Sequence, residues 1–477
     1  MKVNKYIAGF LALFAAHSAS AQTPTYEITG ATAFRRATIE GVRSLYTSST
    51  SPSWRVVMNN STITSADFLT FEGNINGTTT RIRCSFNGSI EGLRALAEPG
   101  QSGAGSNGDA WYFKASELPT SSSASGVTRV VAADVRNPAA SSAVLERAQA
   151  EMAFSDTEVI ISPYGSPAPG EPVLVGGSPG AVVFTVCSSI GSGITNVTFQ
   201  QYNSLLKNGF VPKSFFTGNP ADTSKVFCTG RNDGSRTRSS YLSEMGFGVS
   251  NPVNQYLVLS RTGAGLGNTI TALQQVPAGG INDTDPNTAG VQLPPDLQAW
   301  VNAGNTLLQA PGDASIVWDQ DQIGNGGAAS GSALVSGLQQ YGPSVRVFDG
   351  NGANSFGGVP QTNIALVTWI TLNDAVTAAA GGAGANICAF NGVTLDLNAG
   401  KTAMAPEGRN KVINGAYSAW NFAQFYYVDG ASTDVVDLYQ DIFDNIAGGD
   451  LGVAGIPTDD FNIGRDGDGG TINPFQN

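Results

Sequence analysis

Apolar residues in this chain come in short runs separated by polar or glycine-rich breaks, and the runs alternate between two periods. Tyr26-Glu27-Ile28 reads as a strand that breaks at Gly30, after which Phe34, Ile39, Val42 and Leu45 recur at helical spacing. Arg81-Ile82-Arg83-Cys84 reads as a second strand, closed by the turn Asn87-Gly88. Ser89 then stands as N-cap of a helix that carries Leu93 and Leu96 and ends near Pro99. The same order returns further on. Val127 to Val135 reads as strand and Ser141 to Ala150 as helix; Ala181 to Val186 reads as buried strand and Thr198 to Leu206 as amphipathic helix. Val226-Phe227-Cys228 is a strand that breaks into Arg231-Asn232-Asp233-Gly234-Ser235 before a helix through Tyr241 and Leu242. Ile364 to Ile370 is a hydrophobic strand, and Val435, Leu438, Ile442 and Ile446 mark a late helix. Strands alternating with helices predict an α/β architecture with mainly parallel sheets. Two stretches escape the pattern: Gly100 to Gly126, rich in glycine and serine around the apolar patch Trp111-Tyr112-Phe113, and residues 262–315, rich in Gly, Pro and Asn.

The N-terminus adds a destination. Lys2 and Lys5 precede the apolar run Ile7 to Ala16, and Ala19-Ser20-Ala21 has the small-x-small pattern of a signal-peptidase site. Residues 1–21 therefore read as a signal peptide, with Gln22 as the first mature residue and the periplasm, or the space beyond it, as the destination. The apolar run is too short to span a bilayer, so no membrane insertion is expected. In an oxidising compartment Cys84, Cys187, Cys228 and Cys388 can form two disulfides in any of three connectivities, or stay as buried thiols.

Composition then removes whole classes of function. The only histidine, His17, lies inside the leader, which excludes Ser-His-Asp and Cys-His catalysis and His-ligated metals. With no nucleophile–base pair in view, neither an enzyme nor a cofactor is expected. The balance of 25 basic against 37 acidic residues argues against nucleic acid and anionic membranes as partners. Asp466-x-Asp468-x-Gly470 and Asp283-x-Asp285 resemble calcium loops but lack the downstream glutamate, and read as exposed turns. Trp318, Trp369 and Trp420 sit in apolar runs and read as core.

Three strand-to-helix turns carry the candidate chemistry: Gly30-Ala31-Thr32-Ala33-Phe34, Asn87-Gly88-Ser89 and Arg231-Asn232-Asp233-Gly234-Ser235-Arg236-Thr237. A helix N-terminus offers free backbone N–H groups and a partial positive charge, which suits an anion. Hydroxyls of Ser and Thr add donors, and Arg231 adds a planar fork able to clamp an oxyanion.

These turns, with Ala153-Phe154-Ser155-Asp156 between the second and third, resemble the phosphate-binding proteins of bacterial phosphate ABC transporters, within the type 2 periplasmic binding-protein superfamily. Ile364 to Trp369 is similar to the family's late strand, and Gly415-Ala416-Tyr417 to its C-terminal Gly-x-Tyr segment. The resemblance implies a two-lobed α/β fold with a hinge and a ligand cleft between lobes. Lobe one would take residues 22–158 and 355–477, and lobe two residues 159–354. Phe34 would donate its backbone N–H, with Thr32 or Ala33 at the family's threonine position. Ser89 would donate hydroxyl and N–H, and Asp156 would accept a proton carried by the ligand. Arg231 would pair with the oxyanion, Asp233 would hold its guanidinium, and Ser235 and Thr237 would donate. Arg236 replaces a family glycine and could either add a positive contact or crowd the site toward a larger ligand. The implied function is a monomeric exported protein that binds phosphate or a related oxyanion for an ABC permease or a sensor. The alternative is a secreted structural or surface protein that kept the fold without the ligand, which the low charge and long insertions favour. The same arrangement would place a Cys187–Cys228 disulfide in lobe two and Cys84–Cys388 in lobe one.

Overall fold

The computed structural model describes residues 23–98, 109–134, 138–156, 158–162, 164–232, 235–249, 251–276, 294–307, 316–317, 326–328, 330–449 and 455–474. Residues 1–21, expected to be a signal peptide, lie outside the described residues, as do Asp283, Asp285, Trp318, Asp233 and the side chain of Arg236. In chain order, β1 (Thr25–Gly30) leads into α1 (Arg35–Thr47), followed by β2 (Trp54–Met58), β3 (Phe68–Ile75), β4 (Thr78–Ser85) and α2 (Ser89–Ala97). Next come β5 (Ala110–Phe113), β6 (Val127–Val130), β7 (Leu145–Ala148), β8 (Met152–Ser155) and the long β9 (Leu174–Ser188). Then α3 (Phe199–Asn208), β10 (Lys225–Cys228), α4 (Arg236–Glu244), β11 (Tyr256–Arg261) and β12 (Ile270–Gln275) lead to α5 (Gly331–Leu338). The last major elements are β13 (Gly342–Phe348), β14 (Gln361–Thr371), α6 (Leu372–Ala379), β15 (Trp420–Val428) and α7 (Thr433–Ala447).

The protein is a mixed α/β structure built on one large sheet, whose strands run in the order β11-β12-β13-β14-β9-β15-β8-β1-β4-β3-β2-β6, with β10 beside β14. Three pairings set where strand ends fall. β1 runs parallel to both β4 and β8, so these three strands finish at one edge. β10 runs parallel to β14, so these two finish together. β9 spans the two groups: its residues from Leu174 to Val183 pair with β15, and those from Phe184 to Ser188 pair with β14. β15 pairs antiparallel with β8 and β9, and β14 antiparallel with β9, so the two groups of strands point in opposite senses. A strand-end group from each side is thereby turned toward the middle of β9. The boundary drawn at residue 355 falls between β13 and β14, which the sheet pairs directly.

The core reflects the helical periods. Phe154 of β8 stacks on Phe425 of β15 at 3.9 Å and 8°, and Phe425 on Tyr439 of α7 at 4.5 Å. Val435, Leu438, Ile442 and Ile446 are the buried face of α7, as their spacing predicts. α3 is fixed by a capping box, in which Thr198 and Gln201 exchange side-chain and backbone hydrogen bonds.

Several expectations need correction. Antiparallel pairs outnumber parallel ones among the described residues, because meanders and crossing strands join the parallel groups. The β3–β4 turn is Asn76-Gly77, with φ of 49° and 90°, the two-residue hairpin geometry that Asn-Gly favours. Residues 141–150 do not form a helix. Leu145–Ala148 is β7, paired with β5, with Leu145 inward and Arg147 stacked over Trp111. The patch Trp111-Tyr112-Phe113 is accordingly a strand rather than a loop.

The four cysteines are free and buried rather than bridged. Cys84 lies on β4 and Cys388 bonds to β9, four strand spacings away, or about 19 Å. Cys187 on β9 and Cys228 on β10 are two spacings apart, about 10 Å, beyond the Cα separation a disulfide spans. Burial pushes the Cys228 thiol up to about 12 and that of Cys388 up to about 11, so both stay protonated.

At the sheet edge away from these strand ends, Glu151 is pushed up to about 7, first by burial and then by the charge of Glu27, whose N–H donates to Glu151 Oε2 at 3.2 Å. The folded state therefore keeps this proton longer than the unfolded chain, and stability falls as pH rises from the normal glutamate range through about 7. Thermal unfolding at about pH 5 and about pH 8 checks this: Glu151→Gln should lose less stability over that interval than the native protein.

Candidate functional site

The two strand-end groups explain why turns far apart in sequence meet. Gly30 closes β1 with φ 123°, and a Cβ there would lie 1.9 Å from the Phe154 carbonyl oxygen. No side chain fits, so glycine is required for β1 and β8 to finish side by side. Ala31 N–H donates to that same carbonyl at 2.9 Å, and Gly88 N–H donates to the Gly30 carbonyl at 3.0 Å. The first two turns and the end of β8 are in this way tied into one unit.

Within that unit Ser89 and Asp156, 67 residues apart, are in direct contact. Ser89 Oγ donates to Asp156 Oδ1 at 2.5 Å, and the Asp156 N–H reaches Ser89 Oγ at 3.4 Å. Both residues are only 1% exposed. The cap of α2 is Gly88 rather than Ser89, because the Ser89 hydroxyl is directed to the carboxylate instead of to its own helix. Phe34 occupies the N-cap position of α1, with its ring against Phe154 and its carbonyl accepting from Thr38. Thr32 and Ala33 are half-buried just before it. Arg35, the first residue of α1, forms an ion pair with Asp67.

The second unit forms around Arg231, just beyond β10. Arg231 bridges to Ala328, its Nε donates to the Ala328 carbonyl at 3.0 Å, and its own carbonyl accepts from Gln255 at 3.1 Å. These contacts fix a buried guanidinium in place. Ser235 caps α4 by position, yet its buried Oγ has no hydrogen-bond partner among the described residues. Thr237 and Arg238 are buried one turn in. α4 is anchored at its far end by the buried ion pair between Glu244 and Arg465, whose guanidinium also lies over the Trp420 ring at 5.1 Å. Asn421 Nδ2 donates to Ser240 Oγ at 2.5 Å, so α4 is fastened to β15 as well.

Two acidic groups share the field of Arg231. Burial lowers the proton affinity of the guanidinium, and the charges of Asp374 and Asp156 oppose that shift. Asp156 comes from the first unit and Asp374 from the second, at the start of α6 after β14. The sequence reading missed Asp374, Thr371 and Arg35. Thr371-Leu372-Asn373-Asp374 is a Thr-x-x-Asp capping pattern directly after the strongest strand, and could have flagged the first two. Gly331 opens α5 against this carboxylate: a Cβ at Gly331 would lie 1.9 Å from Asp374 Oδ2.

Chemically, the units bring together helix starts, hydroxyls, two buried arginines (Arg231 and Arg238) and two carboxylates. Asp466 and Asp468 lie in a turn, and Asp468 Oδ2 accepts from the N–H of Glu158, two residues beyond Asp156, at 3.2 Å. Among the described residues no group of three acidic, Cys or His side chains could hold a metal ion, and no helix is long and apolar enough to cross a membrane.

No protein-family model matches the chain, and no curated protein matches it. Among solved structures, the chain is similar to an ABC-type phosphate transport receptor from Vibrio cholerae, at 9% identity and TM-score 0.37, over 88% of this chain and 93% of that one. A putative phosphate ABC transporter substrate-binding protein with bound phosphate from Clostridium perfringens is similar at 10% identity and TM-score 0.38, over 89% and 93% of the two chains. PstS from Borrelia burgdorferi is similar at 10% identity and TM-score 0.32, over 89% and 97%.

The fastening of α4 is directly measurable. Arg465→Ala would strand the Glu244 carboxylate in a buried position, and urea unfolding should register a loss of about 3–5 kcal/mol. A loss within about 0.5 kcal/mol would show that this ion pair does not hold α4.

Proposed function

We propose that the protein is an exported solute-binding protein that holds phosphate or a related oxyanion between the two strand-end units. The observation that carries this reading is the strand-end geometry, which turns the buried Ser89–Asp156 pair after β8 and the buried Arg231 after β10 toward the middle of β9. A cation, a hydroxyl donor and a proton acceptor are thereby grouped where backbone N–H groups of α1, α2 and α4 begin. Phe34, with Thr32 and Ala33, supplies donors from the first helix start, and Ser235 and Thr237 supply them from the third. The free Oγ of Ser235 suits a donor that waits for an acceptor. Asp233 and Arg236 keep the roles implied by the family resemblance.

Asp156 sets selectivity on this reading. A buried carboxylate beside an anion repels it unless a proton lies between them. Phosphate near neutral pH carries such a proton and sulfate does not, so sulfate would leave two acceptors facing each other. β9 and β15 cross between the units and would act as the hinge, letting the units close on the ligand. The return to the first unit belongs after α6 rather than at residue 355, because β14 pairs with β10 and β13. Delivery to an ABC permease or a sensor completes the proposal.

Calorimetry with phosphate on ligand-stripped protein tests it. Binding at about 1 μM or tighter is expected, with Arg231→Ala and Asp156→Ala each weakening it by about 30-fold or more and sulfate competing poorly. Absence of both heat and thermal shift would contradict the proposal and leave the reading of a surface protein without ligand.

A further inference from the structure

The turn that carries Arg231 is held from outside by a short backbone strap, residues 326–328, which lies beyond the Gly-, Pro- and Asn-rich stretch 262–315. The Ala328 N–H donates to the Gly230 carbonyl at 2.9 Å. The Ala328 carbonyl accepts from the Asn232 N–H at 3.3 Å and from Arg231 Nε at 3.0 Å. Strap and turn lie so close that a Cβ on Gly327 would stand 2.4 Å from the Arg231 carbonyl carbon and 2.5 Å from the Asn232 nitrogen. Just past the strap, Gly331 opens α5 directly against Asp374, again with no room for a Cβ.

One side chain ties the strap to the turn. Gln255, immediately before β11, has no exposed surface, and its Nε2 donates to the Arg231 carbonyl at 3.1 Å and to the Gly326 carbonyl at 2.6 Å. A primary amide has two N–H donors, and here each serves a different stretch of backbone. Gln255 is itself fixed in place. Its carbonyl accepts from the Val276 N–H at 2.9 Å, Asn254 before it bonds to the end of α3, and Tyr256 after it packs on Phe227 of β10 at 4.9 Å. Gln255 Oε1 has no hydrogen-bond partner among the described residues, a cost that a side chain placed for packing alone would not carry. Gly230 makes the room for it, since a Cβ there would lie 2.6 Å from that oxygen.

We propose that Gln255 is a positioning residue for the oxyanion site, locking the strap to the Arg231 turn so that the Ala328 carbonyl aims the guanidinium. This rests on the oxyanion reading of the site. A guanidinium is planar, so an acceptor on Nε fixes the plane and with it the directions in which both Nη groups donate. A binding group of this kind must be held to within about 0.5 Å and about 10–20°. The Ala328 acceptor is only as well placed as the strap, and Gln255 sets the distance between strap and turn. Without its two donors the Arg231 and Gly326 carbonyls lose their common partner, the strap separates from the turn, and the guanidinium gains a range of tilts.

Calorimetry with inorganic phosphate on Gln255→Met, alone and combined with Arg231→Ala, tests the assignment. Methionine keeps the length of the side chain and removes both donors. With Arg231 present, Gln255→Met should weaken phosphate binding about tenfold or more. With Arg231→Ala already in place it should change the affinity by less than about twofold, because no guanidinium is left to aim. Gln255→Met protein that binds as tightly as the native one would overturn the proposal. An equal loss in both backgrounds would overturn it too, since that is what a general loosening of the fold produces. Should Gln255→Met fail to fold, Gly327→Ala displaces the same strap from the Arg231 backbone and is held to the same two results. No phosphate heat from the native protein removes the site and this inference together, whereas native binding that Gln255→Met leaves unchanged removes the inference alone.

Discussion

Arg231 carries a positive charge into the protein, with 6% of its surface exposed, and the surrounding architecture follows from making that tolerable. Taking a guanidinium out of water costs several kcal/mol unless hydrogen bonds and opposite charge offset the loss. The Ala328 carbonyl satisfies Nε, and the carboxylates of Asp156, just after β8, and Asp374, just after β14, oppose the loss of its charge. Neither carboxylate is near Arg231 in sequence. Their approach depends on parallel strands ending together, and on β9 holding one group of ends opposite the other.

Close approach at those ends is governed by a few small residues. Gly30 lets β1 and β8 finish in contact, which places Asp156 against Ser89. Gly331 does the same for α5 and Asp374. At the back, Arg465 joins Glu244 to the β15 strand, so α4 cannot drift from the sheet that carries the first unit. Backbone geometry thereby sets the positions of the charged groups.

Much of this was legible in the sequence, and the failures have physical causes. β1, α1, β4, α2, β10, α4, β14 and α7 follow from local periodicity and breaks, because each buries one regular face. The contact of Ser89 with Asp156 was not anticipated: the family resemblance implied that each would face the ligand, and nothing local links residues 67 apart. Pairing direction was misjudged because partner choice is a tertiary property, and β9 and β15 show the same apolar runs whether parallel or antiparallel. β7 was misread because its four residues pair only with β5, a contact invisible to a helical or strand period. The disulfide pairing failed because strand order across the sheet, unknown from spacing, separates each proposed pair. Asp374 was missed although Thr371-Leu372-Asn373-Asp374 carries a capping signature, because a cap is ordinarily only a cap.

The central claim is that an oxyanion bridges the two strand-end units. A crystal structure of the protein grown with phosphate tests it most directly. The account predicts one phosphate within hydrogen-bond reach of Ser89 and Asp156 on one side and of Arg231 on the other. Phosphate bound elsewhere, or touching only one unit, would contradict it.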